Sequence, residues 1–123
     1  MEDKENTLDI GVRGWMLYEE GDYERAEPIL RQAIEEGDTR FIGDYATICG
    51  SQGRFKEESR ALMMGALFRD GDLYSYVNSV SEALVQDLTR ENLEERAEQL
   101  FTLLEKQREH NRAFLAGEIE WQD

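Results

Sequence analysis

The sequence predicts an all-α fold, a stack of about three antiparallel helical hairpins ended by a C-terminal capping helix. Three observations predict it. Apolar residues recur at helical spacing along the chain, and no segment alternates with period two. Gly-centred turns fall at Gly21, Gly37, Gly53 and Gly71, every 16 to 18 residues, which is the rhythm of two helices per repeat. The 123 residues include one Pro, so little interrupts a helix.

The elements follow in order. From 7 to 20, Leu8, Val12, Trp15 and Met16 share a face. From 23 to 36, Tyr23, Ala26, Leu30, Ala33 and Ile34 do so, with Pro28 tolerated near the first turns, where some amides lack helical partners anyway. From 39 to 52 the stripe is Phe41, Ile42, Tyr45, Ala46 and Cys49; from 55 to 69 it is Phe55, Ser59, Leu62, Met63 and Ala66. Leu73, Val77, Val80, Leu84 and Leu88 predict a helix over 73–88, and Leu93, Ala97, Leu100, Phe101 and Leu104 predict another from 90 to about 109. Gly after a helix takes the left-handed cap conformation at little cost, which suits Gly21, Gly37, Gly53 and Gly71. Asp22, Asp38 or Thr39, Asp72 and Thr89 then stand as N-caps. The chain divides into an acidic segment 1–6, a hairpin domain 7–109, and a tail or short helix 110–123 in which Phe114 and Leu115 are expected to pack back and Trp121 is left open.

Charge narrows the partners. Formal net charge is −14, from 28 acids and 14 bases. Such a chain does not track a phosphate backbone, and it is repelled by an anionic membrane. Residues 1–38 carry net −8, residues 39–72 net zero and residues 73–123 net −6, so an Arg-bearing middle hairpin separates two acidic ends. One Cys allows no intrachain disulfide and no Cys-based zinc site, and one His allows no His-rich metal centre. The start shows neither a basic leader nor a long apolar run, so the expected compartment is the cytoplasm. The adjacent glutamates Glu19-Glu20, Glu35-Glu36, Glu57-Glu58 and Glu94-Glu95 point about 100° apart on a helix and make poor paired acids. Asp70-Gly71-Asp72 is too short for a calcium loop. No catalytic residues, no metal and no cofactor are therefore expected.

Gly14, Leu17, Gly21-Asp22-Tyr23, Ala26, Leu30 and Ala33 resemble a tetratricopeptide repeat, with Asp38 where that family usually has Pro. Gln32 to Asp38 also resembles the repeat end of the related Sel1-like family. Ala46, Cys49, Gly53, Phe55 and Leu62 continue the likeness, though Glu58 stands where a small residue belongs and a one-residue shift puts Ser59 and Ala66 there. Beyond 73 only periodicity and Ala97 remain. The resemblance implies a TPR-like α-solenoid whose first helices line a concave peptide groove, with Gly14, Ala26 and Ala33 at a close helix crossing. Position by position it implies Leu8, Val12, Trp15 and Tyr18 in the groove from the first hairpin, Arg40, Asp44 and Thr47 from the second, and Tyr74, Asn78 and Ser81 from the third. Glu19 adds to the acidic end. The family's carboxylate-clamp pattern is not reproduced.

The expected function is a non-enzymatic protein-interaction module, an adaptor, chaperone or antagonist that binds a protein or peptide with a basic surface, with a homodimer open and no nucleic acid or membrane bound directly. The alternative is an acidic inhibitor that occupies the nucleic-acid channel of a basic protein. Trp15 and the tyrosines either line the groove or fill the core between hairpins.

Overall fold

The computed structural model describes residues 9–120, so Leu8 and Trp121 lie outside the described residues. The described residues form seven helices and no strand: α1 (Ile10–Glu19), α2 (Tyr23–Glu35), α3 (Ile42–Ser51), α4 (Phe55–Leu67), α5 (Gly71–Val80), α6 (Glu82–Val85) and α7 (Leu93–Leu115). Each helix from α1 to α6 packs on the next in the chain, giving an all-α, repeat-like fold. The closing helix α7 lies mainly along α4, with smaller contacts to α5 and α6. Among the described residues no helix is long and apolar enough to cross a membrane.

Local chemistry explains the first three turns. Asp9 caps α1 by accepting the Val12 N–H at 2.8 Å, and Asp22 caps α2 by accepting that of Arg25 at 3.3 Å. Gly21, Gly37 and Gly53 have φ of +81°, +97° and +75°. At the first of these the Gly21 and Asp22 amides return to the Tyr18 and Leu17 carbonyls, both at 2.9 Å, which satisfies carbonyls a helix end leaves bare. Pro28 is exposed within α2, where it has no N–H to give the Glu24 carbonyl, and the helix continues through it.

The later turns differ from expectation. The left-handed residue after α4 is Arg69, with φ +57°, while Gly71 opens α5. Asp70 rather than Asp72 therefore caps α5, accepting the Leu73 N–H at 3.2 Å. Neither Asp38 nor Thr39 caps α3, whose cap position is held by Phe41 without a side-chain bond, because Arg40 takes the Asp38 carboxylate. Thr89 sits one turn before the start of α7 and trades bonds with Asn92, at 2.8 and 3.4 Å. The helix expected over 73–88 stops at Val80. Ser81 there turns extended, with φ −161° and ψ 105°, and its hydroxyl accepts the Leu84 N–H at 3.4 Å to start α6. At the other end α7 runs to Leu115. Leu115 is 83% exposed instead of packed, and Ala113 is the residue that turns inward.

The core is built from Leu30, Ile42, Ile48, Met63, Val77 and Leu100, all fully buried, with Cys49 among them. Small residues let helices approach. A Cβ on Gly14 would come 2.7 Å from Leu30 Cδ2, so α1 and α2 approach closely there, and Ala26 and Ala33 of α2 are buried. Burial in α4 follows Ser59 and Ala66, and Glu58 points away to Arg108 of α7. Gly65 marks a contact that periodicity does not show, since a Cβ there would collide with Leu73 of α5. Arg54 ties the hairpins together. Its guanidinium bonds to the buried Glu27 of α2 at 3.1 Å, to Gln52 at 3.1 Å, and to Glu57.

Candidate functional site

A groove of about 530 Å³ opens between α3 and α5. Arg40, Asp44 and Thr47 form one wall, and Asp70, Asp72 and Tyr76 form the other. Ala46, Leu62 and Leu73 supply an apolar floor, beside Glu58. Spacing explains part of this assembly: 44 and 47 share one face of α3, 72, 73 and 76 share one face of α5, and Arg40 joins the first wall from the loop before α3.

Charge is distributed unevenly in the groove. Arg40 is its one lining cation, and it is already engaged, with Nε on Asp38 at 3.0 Å and one terminal nitrogen on Asp38 at 2.8 Å and on Asp9 at 2.7 Å. These partners hold its pKa above the ordinary guanidinium value; Arg40 in turn lowers that of Asp38, and the Val12 amide followed by Arg40 lowers that of Asp9. Arg40 thus clasps the start of α1 to the loop before α3. Asp44 has no hydrogen bond or ion pair among the described residues. Burial first, then the charges of Glu19 and Asp70, push its carboxyl above the ordinary value. Glu19, Asp44 and Asp70, from three hairpins, thus act on one another, and among the described residues no cation pairs with Asp44.

Aromatic side chains edge the groove. Tyr76 is half exposed on its wall. Tyr18 is half-buried and stacks on Tyr23, with ring centroids 5.2 Å apart and planes within 6°. Burial raises the Tyr18 pKa, the Thr47 hydroxyl opposes that rise, and Asp44 adds to it, which places Tyr18 beside this wall of α3. Trp15 is partly exposed and stacks on Phe41 at 6.1 Å, and the Arg40 guanidinium lies over the same Phe41 ring at 5.1 Å. The Trp15 ring is thus shared between solvent and the seam between the first two hairpins.

The residues expected from sequence divide accordingly. Arg40, Asp44 and Thr47 line the groove, and Tyr18 and Glu19 border it. Val12 and Trp15 belong to α1 outside its lining. Tyr74, Asn78 and Ser81 do not line it either: Tyr74 packs against the core, and Ser81 is spent on capping α6. Asp70, Asp72, Leu73 and Tyr76 take that wall. Reading Asp70 as the helix cap would have placed Tyr76 rather than Tyr74 on the open face. Glu58 reaches the groove edge because Arg108, on the distant α7, holds it. Cys49 is buried within α3, and burial raises its thiol pKa, as suits a packing residue rather than a nucleophile.

No family model matches this sequence, and no curated protein or solved structure matches it.

Proposed function

We propose that this chain is a non-enzymatic interaction module, a tetratricopeptide-like adaptor, chaperone or antagonist. It holds a segment of a partner protein bearing a Lys or Arg side chain in the groove between α3 and α5. The observation that supports the reading is Asp44. It is a half-buried carboxylate without an ion pair among the described residues, near the charges of Glu19 and Asp70, above an apolar floor and across from the exposed Tyr76. A desolvated carboxylate among like charges gains most from an incoming cation. Tyr76 and the floor supply apolar area for the rest of the segment.

The test is selection from a random peptide library on the immobilised chain, followed by titration of the selected peptides. Enrichment of basic residues next to an aliphatic or aromatic one is expected. Asp44→Lys and Tyr76→Ala should each weaken binding, while Glu36→Lys, on an exposed turn away from the groove, should not. Peptides that bind all three variants equally would sink the groove reading. An acidic inhibitor of a nucleic-acid-binding protein would instead favour folded basic proteins, lose them to duplex DNA, and be indifferent to Tyr76→Ala.

A further inference from the structure

A hairpin stack buries each hairpin against its neighbours, and an end hairpin keeps one face uncovered. Here α1 packs on α2, and α2 packs on α3, so the outer side of the first hairpin is such a face. It carries a shallow hollow of about 800 Å³ between the two helices. Met16 and Leu17 of α1 and Pro28 and Ile29 of α2 form its apolar centre, and Met16 is 46% exposed. Around that centre stand two arginines, Arg13 and Arg25, and two glutamates, Glu20 and Glu24. The hollow is therefore neutral, on a chain of net charge −14. Arg25 is held by Asp22 at 2.8 Å, but Arg13, Glu20 and Glu24 have no side-chain hydrogen bond or ion pair among the described residues.

The order of these charges along α1 is what identifies an occupant. Arg13 and Glu20 are seven residues apart, two turns or about 10.5 Å along one helix face. Their midpoint falls between Met16 and Leu17, at the centre of the apolar patch. A two-fold axis through that point lays α1 antiparallel on its copy. Arg13 then meets Glu20 of the partner subunit, and Glu20 meets Arg13 of the partner subunit, with Met16 and Leu17 closed between them. This is the reciprocal pairing an isologous contact requires.

We propose that the outer face of the first hairpin is a homodimer contact, with a second copy of this chain as its occupant. Glu20 then serves the dimer while Glu19, about 100° round the helix, faces the groove. A two-helix face sits at the small end of specific interfaces, about 1,200 Å² in total. The dimer is accordingly a weak one that forms at high protein concentration.

Sedimentation velocity on the full chain, from low to high micromolar concentration at physiological ionic strength, tests this. A shift from monomer to dimer is expected. Arg13→Glu sets carboxylates against carboxylates across the axis, and Glu20→Arg sets guanidiniums against guanidiniums. Each variant alone should dimerise at least about tenfold more weakly. An equimolar mixture of the two should recover the dimer, because each then meets its opposite. Both sites are at the surface, and an unchanged circular dichroism spectrum confirms the fold of each variant. A chain that stays monomeric throughout overturns the proposal. So does a dimer that ignores both reversals, or a mixture that does not recover. In those cases the face takes a foreign chain or stays open.

Discussion

Arg69 and Asp44 each carry a cost that the rest of the fold absorbs. Arg69 holds a left-handed conformation, φ +57°, at a turn where Gly21, Gly37 and Gly53 do the same job without a Cβ. The side chain costs about 1–2 kcal/mol in that region. Arg69→Gly should therefore raise stability by about 1 kcal/mol, read as a higher denaturant midpoint with an unchanged slope. Asp44 is the second. Its folded pKa is raised, so the folded chain binds that proton more tightly than the unfolded chain does. The ionised form costs stability above the folded pKa, and the cost disappears as pH falls through it. Asp44→Asn should be the more stable protein at neutral pH and match the parent near about pH 3, where the carboxyl is protonated anyway. Equal midpoints at both pH values would mean Asp44 is not held against its charge. Greater stability combined with weaker peptide binding would identify Asp44 as a residue kept for binding.

At the scale of elements, close approach decides more than propensity. Ala would be the better helix former at Gly65 by about 1 kcal/mol. The Cβ collides with Leu73, however, and Gly65 is buried against both Leu73 and Ile42. Overpacking of that kind costs about 1–3 kcal/mol, so Gly65→Ala should be neutral to destabilising by about 2 kcal/mol. Ala26→Leu, at a fully buried position of α2, has no propensity gain to offset it and should lose about 1–3 kcal/mol. Chemical denaturation of both variants measures these costs. An unchanged midpoint for Ala26→Leu would mean the first hairpin is looser than its packing shows. The break between α5 and α6 explains why Ser81 is missing from the third wall. A break at Ser81 splits one apolar stripe into two helices, and periodicity runs through the break because Leu84 and Val85 are buried on the far side of it.

For the whole molecule, electrostatics and apolar contact act at different distances. With net −8 on residues 1–38 and net −6 on residues 73–123, a basic partner is drawn from afar. That attraction shortens with salt, from a Debye length of about 8 Å at physiological strength to about 3 Å at 1 M. Contacts on Tyr76 and the groove floor are not screened. Association rates should therefore fall as salt rises, while dissociation depends mainly on the aromatic contacts. Reversing Glu19 should slow association, and Tyr76→Ala should speed dissociation. Surface-based kinetics at low and high salt separate the two effects. An affinity indifferent to salt would remove the acidic ends from the binding surface.

Helical content, most helix ends and the choice of buried faces follow from residues close together in the chain. Leu30 and Ala33 point inward because they share a face with Ala26, and Gly21 ends α1 because Gly alone takes that backbone without cost. Arg40, Asp44 and Thr47 were legible as one wall through the family resemblance, and they do line the groove together. What stands opposite that wall was not legible. Tyr76, Asp70 and Leu73 reach the groove through a turn whose left-handed residue is Arg69, against the local preference for Gly. Glu58 is aimed by Arg108, 50 positions away, and Glu27 is neutralised by Arg54, 27 positions away. Pairings at such separation leave no periodic trace, because they depend on where helices come to lie and not on any one helix. The sequence alone therefore determined which segments are helices and which faces they bury. Only the tertiary structure decided which charges are matched, which remain unmatched in the groove, and which face of the first hairpin stays uncovered by the described residues.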